Sequence, residues 1–378
     1  MLFLRYRKKT GFVHAYLLTA ITGALGSLTL DAKLVDTDES IHEGAEGIMM
    51  IDNCKQLKIM SIFFALVASA VFSGSVSAQL QKSVVDNWMI SLSNWQRWGA
   101  QDELGSLNLI TAETRIAASR LVQSGISVSM AHQVLTEAAP DNGNPYQHEM
   151  TSVGSSPGPW SGDSIGVSYH GYAHSHLDAL CHRFHEGTMY NGYSEDEVTE
   201  DGCGKLAITA FENGIFGRGV LIDMAAYKGK QWLELSTPIT DADLDAWERD
   251  TGIVIQSGDV VLVRTGRWAR RESLGPWNVA AESAGLHASA AAWFKAKDIA
   301  MIGSDVALDV FPSGVEAYTH PVHLIFLVAM GTPIFDNLDL EAVANEAQLQ
   351  NRWEFLFTSA PLKIEGGTGS PLNPIATF

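Results

Sequence analysis

Two stretches of this 378-residue chain, Gly219-Val220-Leu221-Ile222-Asp223 and Val260-Val261-Leu262-Val263, are apolar without a break between their ends. A strand with one wet face alternates polar and apolar residues, so an unbroken run marks a strand buried on both faces. Strands are therefore expected at Gly219–Met224 and Asp259–Arg264, with others at Ser127–Leu135, Ile299–Ile302 and Glu354–Lys363. Helices are expected at Ala112–Ser124, Asp241–Thr251, His287–Lys297 and Leu338–Gln348. The second of these opens on a good N-cap pattern, Thr240-Asp241-Ala242-Asp243. Helices and strands interleave, which predicts a single layered α/β domain over 79–378.

The composition, 46% hydrophobic and 18% charged, is that of a globular chain with ample material for a core. The formal net charge is -18. Residues 1–78 hold seven basic and seven acidic side chains, so the whole excess lies in 79–378. An acidic body argues against nucleic acid as a partner. Residues 1–78 read as a leader region. The apolar run 59–78 follows Lys55 and Lys58 and ends in Val76-Ser77-Ala78, which resembles a signal-peptidase site. Export to the periplasm or medium is expected, with Gln79 as the mature N-terminus and no membrane association of the mature domain. An earlier apolar stretch, Phe12–Leu30, follows Arg5, Arg7, Lys8 and Lys9. Either translation starts near Met49 or Met50 and 1–48 is not made, or Phe12–Leu30 is a membrane anchor. Cys54 falls in the leader; Cys181 and Cys203 either pair in an oxidising compartment or remain free.

Five of the twelve histidines fall between His170 and His185. The run His170-Gly171-Tyr172-Ala173-His174-Ser175-His176-Leu177-Asp178-Ala179-Leu180-Cys181-His182 arranges them around one aspartate. Along an extended strand, alternate residues share a face, so His174, His176 and Asp178 would point one way. Imidazole and carboxylate suit a divalent metal such as zinc or manganese, and three ligands with one open position are what a catalytic metal needs. His182, four residues past Asp178, would approach that open position as a general acid/base. A helical reading stays open, in which His174, Asp178 and His182 share one face and His176 and His182 exchange roles. A structural metal site or a metal-free polar network are the plainer alternatives, although closed structural zinc sites favour cysteine and only Cys181 is near.

The same run resembles the signature of the metal-dependent cyclase family, which includes kynurenine-formamidase-like hydrolases and isatin hydrolases. That signature is His, three residues, His, one residue, Asp, three residues, His. His176, Asp178 and His182 occupy its last three positions, and the resemblance implies two metal ligands and an acid/base histidine. Its first position falls on Tyr172, a departure; His174 or His170 would replace that ligand, as in a larger-chain branch of the family. Asn94-Trp95-Gln96-Arg97-Trp98-Gly99, Asp102-Glu103-Leu104-Gly105-Ser106-Leu107-Asn108 and Met189-Tyr190-Asn191-Gly192 resemble that branch's opening and central motifs. Pro321-Val322-His323, Pro333-Ile334-Phe335-Asp336-Asn337, Asp339-Leu340-Glu341 and 366–374 resemble its closing motifs. The resemblance covers most of 94–378. It implies a cyclase-like swivelling β/β/α domain, a layered mixed sheet with flanking helices, and a homo-oligomer.

Relatives with two metals use a later histidine and an acidic residue, which His323 and Asp336 match, with aspartate one methylene shorter than the usual glutamate. The alternatives are support behind the ligands for His323, and a helix N-terminal carboxylate for Asp336. His185 and Glu186 either orient the site or decorate a loop. The glycine-rich 366–374 lacks the Gly-Lys-Ser/Thr ending of a phosphate loop, and reads as a turn lining the pocket or a subunit contact. Trp95, Trp98 and Trp160 are either an aromatic wall for a planar substrate or core. The leading expectation is a hydrolase that opens an amide, cyclic amide or lactone carbonyl with metal-activated water, using Mn2+ or Zn2+. A cyclase or lyase on the same metal, or an exported metal or small-molecule binding protein, are the alternatives.

Overall fold

The computed structural model describes Gln79–Phe378, together with the backbone of an antiparallel ribbon pairing Phe3–Lys8 with Gly11–Tyr16. The leader expected at 59–78, Cys54 and most of the Phe12–Leu30 run lie outside the described residues. Val76–Phe378 forms one unit and Met1–Ser75 another.

A nine-stranded sheet forms the middle of the larger unit. Its strands in chain order are β1 (Ser127–Ser129), β2 (His176–Asp178), β3 (Ile215–Asp223), β4 (Val260–Arg264), β5 (Met301–Ser304), β6 (Ile334–Asp336), β7 (Glu354–Ser359), β8 (Gly369–Pro371) and β9 (Ile375–Thr377). Across the sheet they lie in the order β8-β2-β6-β5-β4-β3-β7-β9-β1. The four strands β6, β5, β4 and β3 are parallel, and the outer strands join antiparallel. Every residue of β4 is buried, as its unbroken apolar run requires. The helices are α1 (Lys82–Ser91), α2 (Ala112–Ser119), α3 (Asp241–Thr251), α4 (Arg267–Leu274), α5 (Ala290–Lys297) and α6 (Glu341–Gln350). α2 packs on β3 and β7, α6 on β1, and α3 on α5. A further helical segment begins at Pro321–His323 and widens into a π-turn, Leu324–Met330, all seven residues of which are buried. A helix apolar on every side belongs inside the domain, and α1 and α5 both pack against it.

Where the boundaries depart from the pattern, long-range pairing explains them. α3 forms over the residues expected, because the Thr240 side chain accepts from the Asp243 amide while Asp243 accepts from the Thr240 amide. α5 starts at Ala290 rather than His287, since the His287 amide is taken by the Ile239 carbonyl. α6 starts at Glu341 rather than Leu338, because the Leu338 amide pairs with the Ser304 carbonyl. β7 stops at Ser359, just before Ala360-Pro361, where a proline cannot donate to the ladder. Only Ser127–Ser129 of the strand expected at Ser127–Leu135 pairs with the sheet. The turn-rich 366–374 contains a strand, β8, paired with β2.

Gly105 adopts φ +58°, and a Cβ there would sit 1.9 Å from the Gly331 carbonyl oxygen. Gly125 also has positive φ (+72°), with open space around it. Gly125→Ala is expected to cost about 1–2 kcal/mol, the backbone penalty alone. Gly105→Ala should cost about 1–3 kcal/mol more, because backbone must move. Paired urea titrations measure both; equal midpoints would contradict this packing.

Candidate metal centre

Register decides which side chains meet. His176 and Asp178 are two residues apart on β2 and share a face. Asp336 on β6 stands directly opposite His176, so it joins the same face. The intervening Leu177 and Phe335 point the other way into the core and are fully buried. Three chemically active groups are thereby placed side by side by backbone pairing alone. His323 enters from the end of the Pro321–His323 turn, and His170 from the loop before β2.

Asp178 is the centre of the group. Its side chain is 1% exposed, and neither carboxylate oxygen accepts a hydrogen bond. Imidazole nitrogens nevertheless crowd it: His170 Nδ1 lies 3.1 Å and His176 Nε2 3.4 Å from Oδ1, while His323 Nε2 lies 3.8 Å and His182 Nε2 4.0 Å from Oδ2. His170 Nδ1 and Asp336 Oδ1 are also buried without a hydrogen-bond partner. Native interiors rarely leave several such atoms unsatisfied in one place. A cation at their common focus would satisfy them together, and the donor set of imidazole and carboxylate suits a divalent transition metal. Two ligand groups fit, His170–His176–Asp178 and Asp178–His323–Asp336, each with its ligand atoms within 4.8 Å of one another. Asp178 belongs to both.

Surrounding bonds orient the imidazoles. His176 Nδ1 donates to the His174 carbonyl at 2.8 Å, which leaves Nε2 facing Asp178. His323 Nδ1 contacts Asp309 at 2.6 Å, so its Nε2 turns to Asp336 at 3.1 Å. His170 Nε2 contacts the Thr368 hydroxyl at 2.9 Å, and its ring stacks on His182 at 3.9 Å between centroids. Burial would raise the Asp178 carboxyl, but the neighbouring His182, His170 and His176 hold it well below the usual carboxylate range. Burial pushes the His323 imidazole down, but Asp336 and Asp309 outweigh it and raise it well above its ordinary value. Burial lowers His182 and His320.

A buried clamp holds the His170 loop. The Asn337 side-chain amide donates to the Gly171 carbonyl at 2.8 Å, and Arg267 donates to the Asn337 side-chain oxygen at 2.6 Å and to the Tyr172 carbonyl. Arg267 and its partner Asp141 both have side chains at 0% exposure. The Arg267 amide in turn donates to Asp305, a buried carboxylate that also accepts from the amides of Thr265 and Gly266. No local pattern marked Arg267 or Asp309, and Asn337 was marked only as the end of the closing motif Pro333–Asn337, because each acts on residues remote in sequence.

The expected convergence of His174 with His176 and Asp178 is not found. Alternation holds only within a strand, and β2 begins at His176. His174 lies in the bend before it, with Nε2 on the Asn144 carbonyl at 3.1 Å and its ring near Tyr146. His170 occupies the place expected for His174. The helical reading of 174–182 also fails, since a three-residue strand is followed by a short turn at Leu180–His182. Tyr172 points its hydroxyl to His320 Nε2 at 3.4 Å and is outside both ligand groups. His182 lines the cavity with His170, Tyr172, Arg183, His320 and His323. His185 sits in a turn with Thr188 and belongs neither to the two ligand groups nor to the cavity wall. Trp95, Trp98 and Trp160 are absent from the cavity wall; Trp95 donates to the Val328 carbonyl and Trp160 is 72% exposed. Cys181 and Cys203 are joined as a disulfide.

No functionally curated protein matches the sequence. A crystal structure described as that of a novel cyclase is 29% identical, covers 76% of this chain and 100% of its own, and superposes with a TM-score of 0.69. Isatin hydrolase A from Ralstonia solanacearum is 23% identical over 70% of this chain and 97% of its own, with a TM-score of 0.49. A structure described as a potential metal-dependent hydrolase with cyclase activity is 17% identical over 66% and 98%, with a TM-score of 0.42. The family model described as "Putative cyclase" matches residues 111–309, more than half of the sequence, and the chain belongs to this cyclase family.

Proposed function

We propose that this protein is a metal-dependent hydrolase that opens an amide, cyclic amide or lactone carbonyl. The observation that carries the reading is the Asp178 carboxylate, buried with both oxygens unpartnered among four imidazoles and Asp336. His170, His176 and Asp178 would hold a divalent metal, Mn2+ or Zn2+, and Asp178, His323 and Asp336 a second. Such a cation supplies Lewis acidity toward a carbonyl oxygen and lowers the pKa of coordinated water to roughly 7.

The chain's own residues do the rest. His176 and His323 are locked by the His174 carbonyl and Asp309, so their inward nitrogens need no reorganisation. His182 lies on the cavity wall, stacked on His170, and its Nε2 is free of any hydrogen bond among the described residues. In the reaction this nitrogen takes the proton of the attacking water and returns it to the departing nitrogen or oxygen. The Cys181–Cys203 bond fixes the segment just before His182 and supports export to an oxidising compartment.

Chelation should abolish turnover of a panel of formyl-anilides, isatin-like rings and lactones, and Mn2+ or Zn2+ should restore it. Full activity after verified metal loss would end the metal reading. His182→Ala should lower kcat by about 10²–10⁴ with metal content unchanged. Turnover in oxygen-18 water should place one label in the product acid; an unlabelled product points to cyclase or lyase chemistry instead. Asn337→Ala, which frees the loop behind His170, should weaken divalent-metal binding by about 10–100-fold in chelator competition. Unaltered affinity would show that the clamp does not orient the site.

A further inference from the structure

Arg183 follows His182 in extended backbone and lines the cavity beside His170, Tyr172 and His320. Arg218 forms ion pairs with Asp259 and Glu354, Arg264 with Asp223 and Glu341, and Arg267 with Asp141, while Arg352, without such a pair among the described residues, donates to the Leu121 carbonyl and lies outside the cavity. Arg183 differs. Among the described residues no carboxylate lies within ion-pairing distance of it, and its buried Nε has no acceptor. Among the described residues the acid that lines the same cavity, Asp336, is turned toward the His323 imidazole. His320 contacts the Tyr172 and Thr319 hydroxyls and gives Arg183 no counter-charge.

A guanidinium is always charged, and its planar fork matches a carboxylate with two parallel bonds. Burying one N–H of that fork without an acceptor is unfavourable unless a ligand supplies the acceptor. The cavity is small, about 130 Å³, so a group seated on Arg183 stands close to the candidate ligands.

We propose that Arg183 receives a carboxylate borne by the substrate, so that the enzyme acts on small anionic carbonyl compounds carrying a scissile amide or lactone and a separate acid group. This inference rests on the hydrolytic reading above and names the substrate class for it. The anion anchors the molecule by one end and the scissile carbonyl is presented to the metal-ligand face by the other.

The test uses binding alone. Phenylacetate and its neutral isostere phenylacetamide are titrated calorimetrically into the full chain, as purified with its metal and again after chelation. Wild-type protein should bind the anion at least about tenfold more tightly than the amide in both states. R183Q should bring that ratio to within about twofold of unity, with its thermal midpoint used to verify folding. R183K keeps the charge but loses the fork, and should lose at least about threefold of the ratio. A ratio that survives in both variants, or one that chelation removes while R183Q retains it, overturns the proposal. So does a wild-type protein without preference. Since no turnover is required, failure of the hydrolytic reading shows separately, in the oxygen-18 experiment.

Discussion

The arrangement depends on one buried charge. Removing a carboxylate from water is costly unless a counter-charge meets it at short range. Asp178 is wholly buried on a three-residue strand and accepts no hydrogen bond, yet four imidazole nitrogens lie within 4.0 Å. Every nearby element is set to tolerate that charge. β6 brings Asp336 and the turn after Asp309 brings His323. The loop before β2 brings His170, and the turn after it brings His182. Two overlapping ligand groups share Asp178, so the fold presents one compact focus of ligand atoms rather than two independent sites.

A second layer keeps that focus in shape. Arg267 and Asn337 are not ligand candidates, but Asn337 follows Asp336 directly and holds the carbonyl just after His170. One amide therefore ties the two ligand groups together from behind. Arg267 is buried beside Asp141 and secures the amide's orientation. Breaking one member of such a network strands its partners, which is why a mechanical role can look as important as a chemical one.

Much of this was legible in the sequence, for identifiable reasons. The unbroken apolar runs of β3 and β4 disclosed buried strands, and the Thr240 box disclosed where α3 begins. His176 and Asp178 were readable because their relation is local, two residues along one strand. His323 and Asp336 were accessible only through the family resemblance. His174 was misplaced because alternation was extended past the true start of β2, where the chain bends and leaves His170 to fill the position. Arg183, Arg267 and Asp309 were silent, and Asn337 appeared only as a motif position without a role, since their significance comes from what the tertiary fold sets beside them. The opening motif proved architectural: Asp102 accepts from the Tyr190 hydroxyl and the Gly105 amide, and Asn94 donates to the Met330 carbonyl.

β2 is held on one side by β6 and on the other by β8, a strand of three residues close to the carboxyl end of the chain. So short a strand is set in register by neighbours that are both remote in sequence, and the face that carries His176 and Asp178 is complete only once that long-range pairing has formed. Intrinsic affinities rank the transition metals in a fixed order irrespective of need. A site assembled by such pairing would choose among them by the geometry in which the sheet holds its ligands and by which ions are at hand.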